Sequence, residues 1–91
     1  MVYTIIRQAL ADYDKWRAVF DETAPKRKEF SATGSFQIFR DTDDPNTVTV
    51  IIEWENGAKA KEFLNSPILR EAMQNAGVIG IPMVRTTATR M

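Results

Sequence analysis

The chain contains no histidine and no cysteine. Without cysteine there is no disulfide, no thiol nucleophile and no thiolate metal site. Without histidine there is no imidazole base, no Ser-His triad, no proximal haem ligand and no ordinary zinc site. Net charge is missing too: twelve Lys and Arg offset twelve Asp and Glu, so no field draws the protein to nucleic acid or to an anionic membrane. The longest basic run, Lys26-Arg27-Lys28, lies beside Glu22 and Glu29 and reads as a solvated helix face. No apolar run approaches the roughly 20 residues of a spanning helix. The N-terminus reaches a charge at Arg7 without a long apolar segment, so neither signal peptide nor membrane span is expected, and cytoplasmic location is the default.

What is present is an ordinary globular composition, 44% hydrophobic and 26% charged over 91 residues. One domain spanning 1–91 is expected. A chain this short buries roughly 60–65% of its unfolded surface, enough for one core and one interface.

Residues 2–9 are β-branched and aromatic-rich, and predict a first strand with Tyr3, Ile5 and Arg7 on one face and Val2, Thr4, Ile6 and Gln8 on the other. Asp12 is a plausible cap for a helix from Tyr13, whose Tyr13, Trp16, Val19 and Phe20 make one apolar stripe. Pro25 ends that helix near Glu22 to Ala24 and fits the first turn of a second, short one running to about Phe30. Gly34 is expected to take the left-handed conformation that closes it. Residues 35–41 and 47–54 predict a hairpin across the turn-rich segment Asp41 to Asn46. A helix opens at Asn56-Gly57, and Ser66-Pro67 restarts it with Ile68, Leu69, Ala72, Met73 and Ala76 on its apolar face. Gly77 stops it. Residues 78–90 form a last strand, where Pro82 implies an edge position or a bulge. The order β-α-β-β-α-β predicts a ferredoxin-like α+β fold, four antiparallel strands with helices on one face.

Both faces of that sheet carry apolar residues. On the third strand Val48, Val50, Ile52 and Trp54 oppose Thr49, Ile51, Glu53 and Glu55, and on the second Phe36 and Ile38 oppose Phe39. Helices cover one face only, so a second copy packed about a two-fold axis is the expected cover for the other. At about 25 cal/mol per Å², several hundred Å² of apolar surface supplies on the order of 10 kcal/mol before association costs.

The stretch from Trp54 through Asn56-Gly57, Phe63 and Ser66-Pro67 to Met73 resembles a signature of the dimeric α+β barrel superfamily, in its antibiotic biosynthesis monooxygenase-like branch. The shared pattern is a Trp ending strand three, a helix bearing an aromatic, then Ser-Pro opening another helix. The resemblance implies a dimer with two sheets back to back and a small-ligand pocket between each sheet and its own helices. It also implies cofactor-free oxidation of aromatic or quinol substrates by oxygen. The family Trp maps onto Trp54. The family's first-strand Asn falls near Arg7 or Gln8, neither of which is Asn, and where haem-degrading relatives carry a ligand His this chain reads Phe63-Leu64, which argues against haem.

Candidate catalytic residues are therefore Trp54, with Arg7 as an oxyanion anchor and Glu53 as a general base. Their structural alternatives are core packing for Trp54 and a pairing of Arg7 with Glu53 or Glu55 across the dimer face. Arg85 and Tyr3 are sheet residues first and ligand contacts second. Tyr13, Trp16, Phe20, Trp54 and Phe63 are the candidate pocket lining. No metal site is expected, since the acidic turn at Asp41, Asp43 and Asp44 puts Asn46 where a calcium loop needs Gly and Ile52 where it needs Glu. No cofactor is expected. Three functions fit: a cofactor-free monooxygenase-like enzyme, a non-catalytic dimer that binds a small aromatic or apolar ligand, and an effector-sensing module, the last disfavoured by the lack of a basic patch.

Overall fold

A computed structural model describes residues 1–89, with the side chains of 81 and 83–89 outside the description. The elements run β1 (Val2–Leu10), α1 (Tyr13–Glu22), α2 (Ala24–Glu29), β2 (Ala32–Arg40), β3 (Thr47–Trp54), α3 (Gly57–Leu64), α4 (Pro67–Ala76) and β4 (Val78–Thr89). The strands make one antiparallel sheet in the order β2-β3-β1-β4. This is the ferredoxin-like α+β arrangement expected from the element order. No helix among the described residues is long and apolar enough to cross a membrane.

Short polar side chains set the helix ends. Asp12 accepts from the Asp14 backbone N–H at the start of α1, and Asn56 accepts from the Lys59 N–H at the start of α3. Ser66 works in both directions: its hydroxyl donates to the Phe63 carbonyl at the end of α3 and accepts from the Leu69 N–H inside α4. That double use fixes the angle between the two helices. Gly77 closes α4 in the left-handed region at φ 77°.

The α2–β2 junction departs from expectation. Ser31, not Gly34, occupies the left-handed position after α2, at φ 81°. The Ser31 hydroxyl accepts from the Asn56 backbone N–H, and its carbonyl accepts from the Glu55 N–H. These bonds hold a conformation that a non-glycine residue otherwise avoids. Gly34, at φ 98°, lies inside β2, where the register with β3 shifts between Ala32 and Phe36. It serves a bulge rather than a helix end. Pro82 lies on edge strand β4, beside a second register shift opposite Arg7 to Ala9, as its chemistry requires.

All helices pack on one face of the sheet. That face carries Thr4, Ile6, Gln8 and Leu10 from β1 and Val48, Val50, Ile52 and Trp54 from β3, every one buried. The opposite face carries half-buried Ile5 and Ile51 and leaves Phe39 and Ile79 more than half exposed.

Candidate functional site

Strand alternation decides which side chains can meet. Trp54 ends β3 on the helix side and is fully buried. Its indole N–H donates to the Thr4 hydroxyl at 2.9 Å, from the neighbouring strand. The one donor of the indole is therefore occupied, and the ring presents only its apolar surface. Phe63 of α3 packs on it with ring centroids 5.5 Å apart, and Phe30 packs on Phe63 at 5.4 Å. Along α1, Trp16 stacks on Phe20 at 5.1 Å, and Phe20 meets Phe36 of β2 edge-on.

Between these aromatic groups lies a cavity of about 50 Å³. Ile6, Gln8, Val50, Ile52 and Trp54 form its floor; Trp16, Val19 and Phe20 of α1, Phe63 of α3, and Leu69 and Met73 of α4 form its walls. A cavity of about 150 Å³ takes a benzene ring, so this one admits a planar guest only as α1 and α4 give way. The Met73, Leu69 and Val19 side chains on those helices are half-buried.

Three polar side chains reach this apolar space: Gln8, Thr23 and Arg27. The Thr23 hydroxyl is satisfied by the Val19 carbonyl at 2.6 Å. Gln8 is 7% exposed, and its Oε1 is the buried side-chain atom that lacks a hydrogen-bond partner among the described residues. Such an acceptor is costly to leave empty. Arg27 is 6% exposed. One of its N–H groups donates to the Phe20 carbonyl at 2.9 Å, and its guanidinium lies 3.9 Å from the centroid of the Phe20 ring. No carboxylate pairs with it among the described residues. Burial pushes its pKa down to about 10, against a weaker opposing pull from Asp21. The guanidinium stays charged at neutral pH, and burial of that charge works against the fold.

The expected site residues divide between two places. Trp54, Trp16, Phe20 and Phe63 meet at the cavity. Tyr13 does not line it: its ring packs 5.8 Å from Trp16 and lies under the Arg40 guanidinium at 4.1 Å. Arg7 and Glu53 point to the opposite face, because each alternates with a cavity-facing neighbour. Within the chain Arg7 pairs with neither Glu53 nor Glu55. It is exposed and forms a two-pronged ion pair with Asp41, one bond being 2.9 Å, and the pairing holds the Asp41 carboxyl below its ordinary range. Glu53 accepts from the Tyr3 hydroxyl at 2.8 Å and from the Thr33 hydroxyl at 2.9 Å, and those bonds lower its pKa. A carboxylate held ionised on the outer face is badly placed as a base for a guest under the helices. The side chain of Arg85 lies outside the described residues. Among them, no group of acidic side chains is arranged to hold a metal ion.

Gln8 and Arg27 are the site residues that sequence reasoning passed over. Gln8 had a readable signal, a polar residue on the face of β1 shared by Ile6 and Leu10. Arg27 had none, since its flanking Lys26 and Lys28 are exposed as expected and only Arg27 turns inward.

Two outcomes follow from this geometry. Thr4→Val leaves the buried indole N–H without an acceptor and is expected to lower stability by about 1–3 kcal/mol in urea titration, at unchanged m. Glu53 titrates lower folded than unfolded, so its stabilising contribution is complete above its ordinary value of 4.5 and fades as pH falls through the lower folded value. Removing both donors, Tyr3→Phe with Thr33→Val, is expected to flatten that acid limb of a stability–pH curve.

The antibiotic biosynthesis monooxygenase family model matches residues 10–75. A search among curated proteins finds no match. Among solved structures, the chain is similar to an antibiotic biosynthesis monooxygenase at TM-score 0.66 and 17% identity, covering 100% of this chain and 99% of that one. It is similar to SnoaB, a cofactor-independent oxygenase from Streptomyces nogalater, at TM-score 0.70 and 16% identity over 99% and 93% of the two chains. It is also similar to Rv0793 from Mycobacterium tuberculosis, at TM-score 0.65 and 14% identity over 100% and 96%. At these identities the likeness is one of fold.

Proposed function

We propose a function from the premise that this chain belongs to the antibiotic biosynthesis monooxygenase family: it is a cytoplasmic homodimer that encloses a flat, electron-rich aromatic molecule beneath its helices and oxygenates it without a cofactor. The observation that carries this reading is the aromatic-walled cavity against Trp54, apolar except where Gln8 and Arg27 enter it. SnoaB, of the same fold, is a cofactor-independent oxygenase.

In such a reaction the substrate supplies the electrons. A ring CH2 flanked by phenolic rings becomes C=O, one atom of O2 enters the product, and the other leaves as water with the two hydrogens. Trp54, Phe20 and Phe63 hold the ring and exclude water. The Gln8 Oε1 accepts a hydrogen bond from a substrate hydroxyl and fixes its orientation in the cavity. Trp54 acts as a wall, since Thr4 occupies its N–H. Arg7 and Glu53 serve the outer face, which packs on the partner copy and covers Ile5, Ile51, Phe39 and Ile79.

One observation favours a second reading, a dimer that binds such a molecule without transforming it. The described side chains that line the cavity include no carboxylate and no tyrosine, so none is available as a general base. Incubation with an anthrone and oxygen separates the two. Turnover above the spontaneous rate, lowered at least tenfold by Gln8→Leu, supports the enzyme. Ligand-dependent thermal stabilisation without product supports the binder. Neither response, or a mass of about ten kilodaltons by light scattering at micromolar concentration, overturns the proposal.

A further inference from the structure

We propose that the cavity selects aromatic guests carrying an anionic oxygen, with Arg27 as the counter-charge and Gln8 receiving a hydrogen from the same guest. The proposal rests on the reading of the cavity as a ligand site and names the chemical class that the site takes.

Arg27 has five N–H donors in one plane. One is spent on the Phe20 carbonyl, and one face of the plane lies against the Phe20 ring. The remaining donors on the edge of the guanidinium have no acceptor among the described side chains. The nearest acidic influence comes from Asp21, whose carboxylate is bonded to Arg17 instead. A buried guanidinium with an open edge and no carboxylate matches a planar, two-oxygen anion or a ring-bound oxyanion. Satisfying the Phe20 carbonyl at the end of α1 does not call for a buried charge, because water or an uncharged donor at a helix end does the same. Burial of the charge weakens the position in the empty protein, and an anion on the open edge offsets that cost.

Gln8 adds an independent requirement. Its Oε1 lacks a donor within the same cavity. A guest that supplies both an anion and a hydroxyl or N–H hydrogen completes both groups. A neutral hydrocarbon of the same shape completes neither.

The test compares 2-naphthoate with its neutral isostere 2-acetylnaphthalene, by calorimetry on the intact protein, in the wild type and in Arg27→Met, which keeps the apolar stem. The wild type is expected to bind the acid at least tenfold more tightly than the ketone. Arg27→Met is expected to bring that ratio to about one, leave ketone binding as it was, and melt no lower than the wild type. Arg27→Lys is expected to restore part of the preference, since it returns the charge without the planar fork. A parallel pair, 2-naphthol and 2-methylnaphthalene, tests the hydrogen given to Gln8: tighter binding of the naphthol, lost in Gln8→Leu, is expected, and equal binding of the pair overturns the role of Gln8. Equal binding of acid and ketone by the wild type overturns the role of Arg27 and leaves the cavity reading intact. So does a lower melting temperature in Arg27→Met with both affinities reduced alike, which would mark Arg27 as a structural clamp on α1. Failure of all four probes to bind overturns the cavity reading and this proposal together.

Discussion

The alternation of side chains along two adjacent strands governs what this protein can do. On β1 and β3 each residue faces away from its neighbour. Thr4, Gln8 and Trp54 are thereby placed beneath the helices, and Tyr3, Arg7 and Glu53 are placed outside. The registry is held at the sheet's end by the hydrogen bond from the Trp54 indole to Thr4. A slip of one residue would bring Glu53 into the apolar space and expel the tryptophan. The cavity is apolar because the pleat removes the acids from it.

Against that background the two polar groups that remain inside stand out energetically. An unfilled amide acceptor at Gln8 and, at Arg27, a buried cation with no ion-pair partner among the described residues both oppose folding. A domain of this size has only about 5–15 kcal/mol of stability in total. Residues that lower it and persist in the core are best understood through what they hold, since the best-packed apolar alternative would be more stable. The aromatic ladder from Tyr13 through Trp16 and Phe20 to Phe36 fastens α1 to the sheet and gives that strain a rigid frame.

Much of the frame is legible in the residues themselves. Asp12, Asn56 and Ser66 announce helix starts that the structure realises with side-chain caps, and the turn chemistry from Asp41 to Asn46 joins β2 to β3 as expected. Where local rules mislead, tertiary bonds explain it. Gly34 looks like a helix stop, yet Ser31 takes that position because Glu55 and Asn56 tie it down. The site was half legible. Period-two reading assigns Trp54 to one face and Glu53 to the other, yet chemistry suggested using them together. Arg27 was invisible, because helical spacing alone does not tell which cation of a basic triplet is covered by Phe20.

The central claim is that a guest lodges beneath the helices, against Trp54, Gln8 and Arg27, and not on the outer face of the sheet. Nuclear Overhauser contacts from bound 2-naphthoate to methyl-labelled protein test this most directly. Contacts to Met73 and Leu69 are the predicted result, and contacts to Ile5, Ile51 or Ile79 in their place would contradict the account.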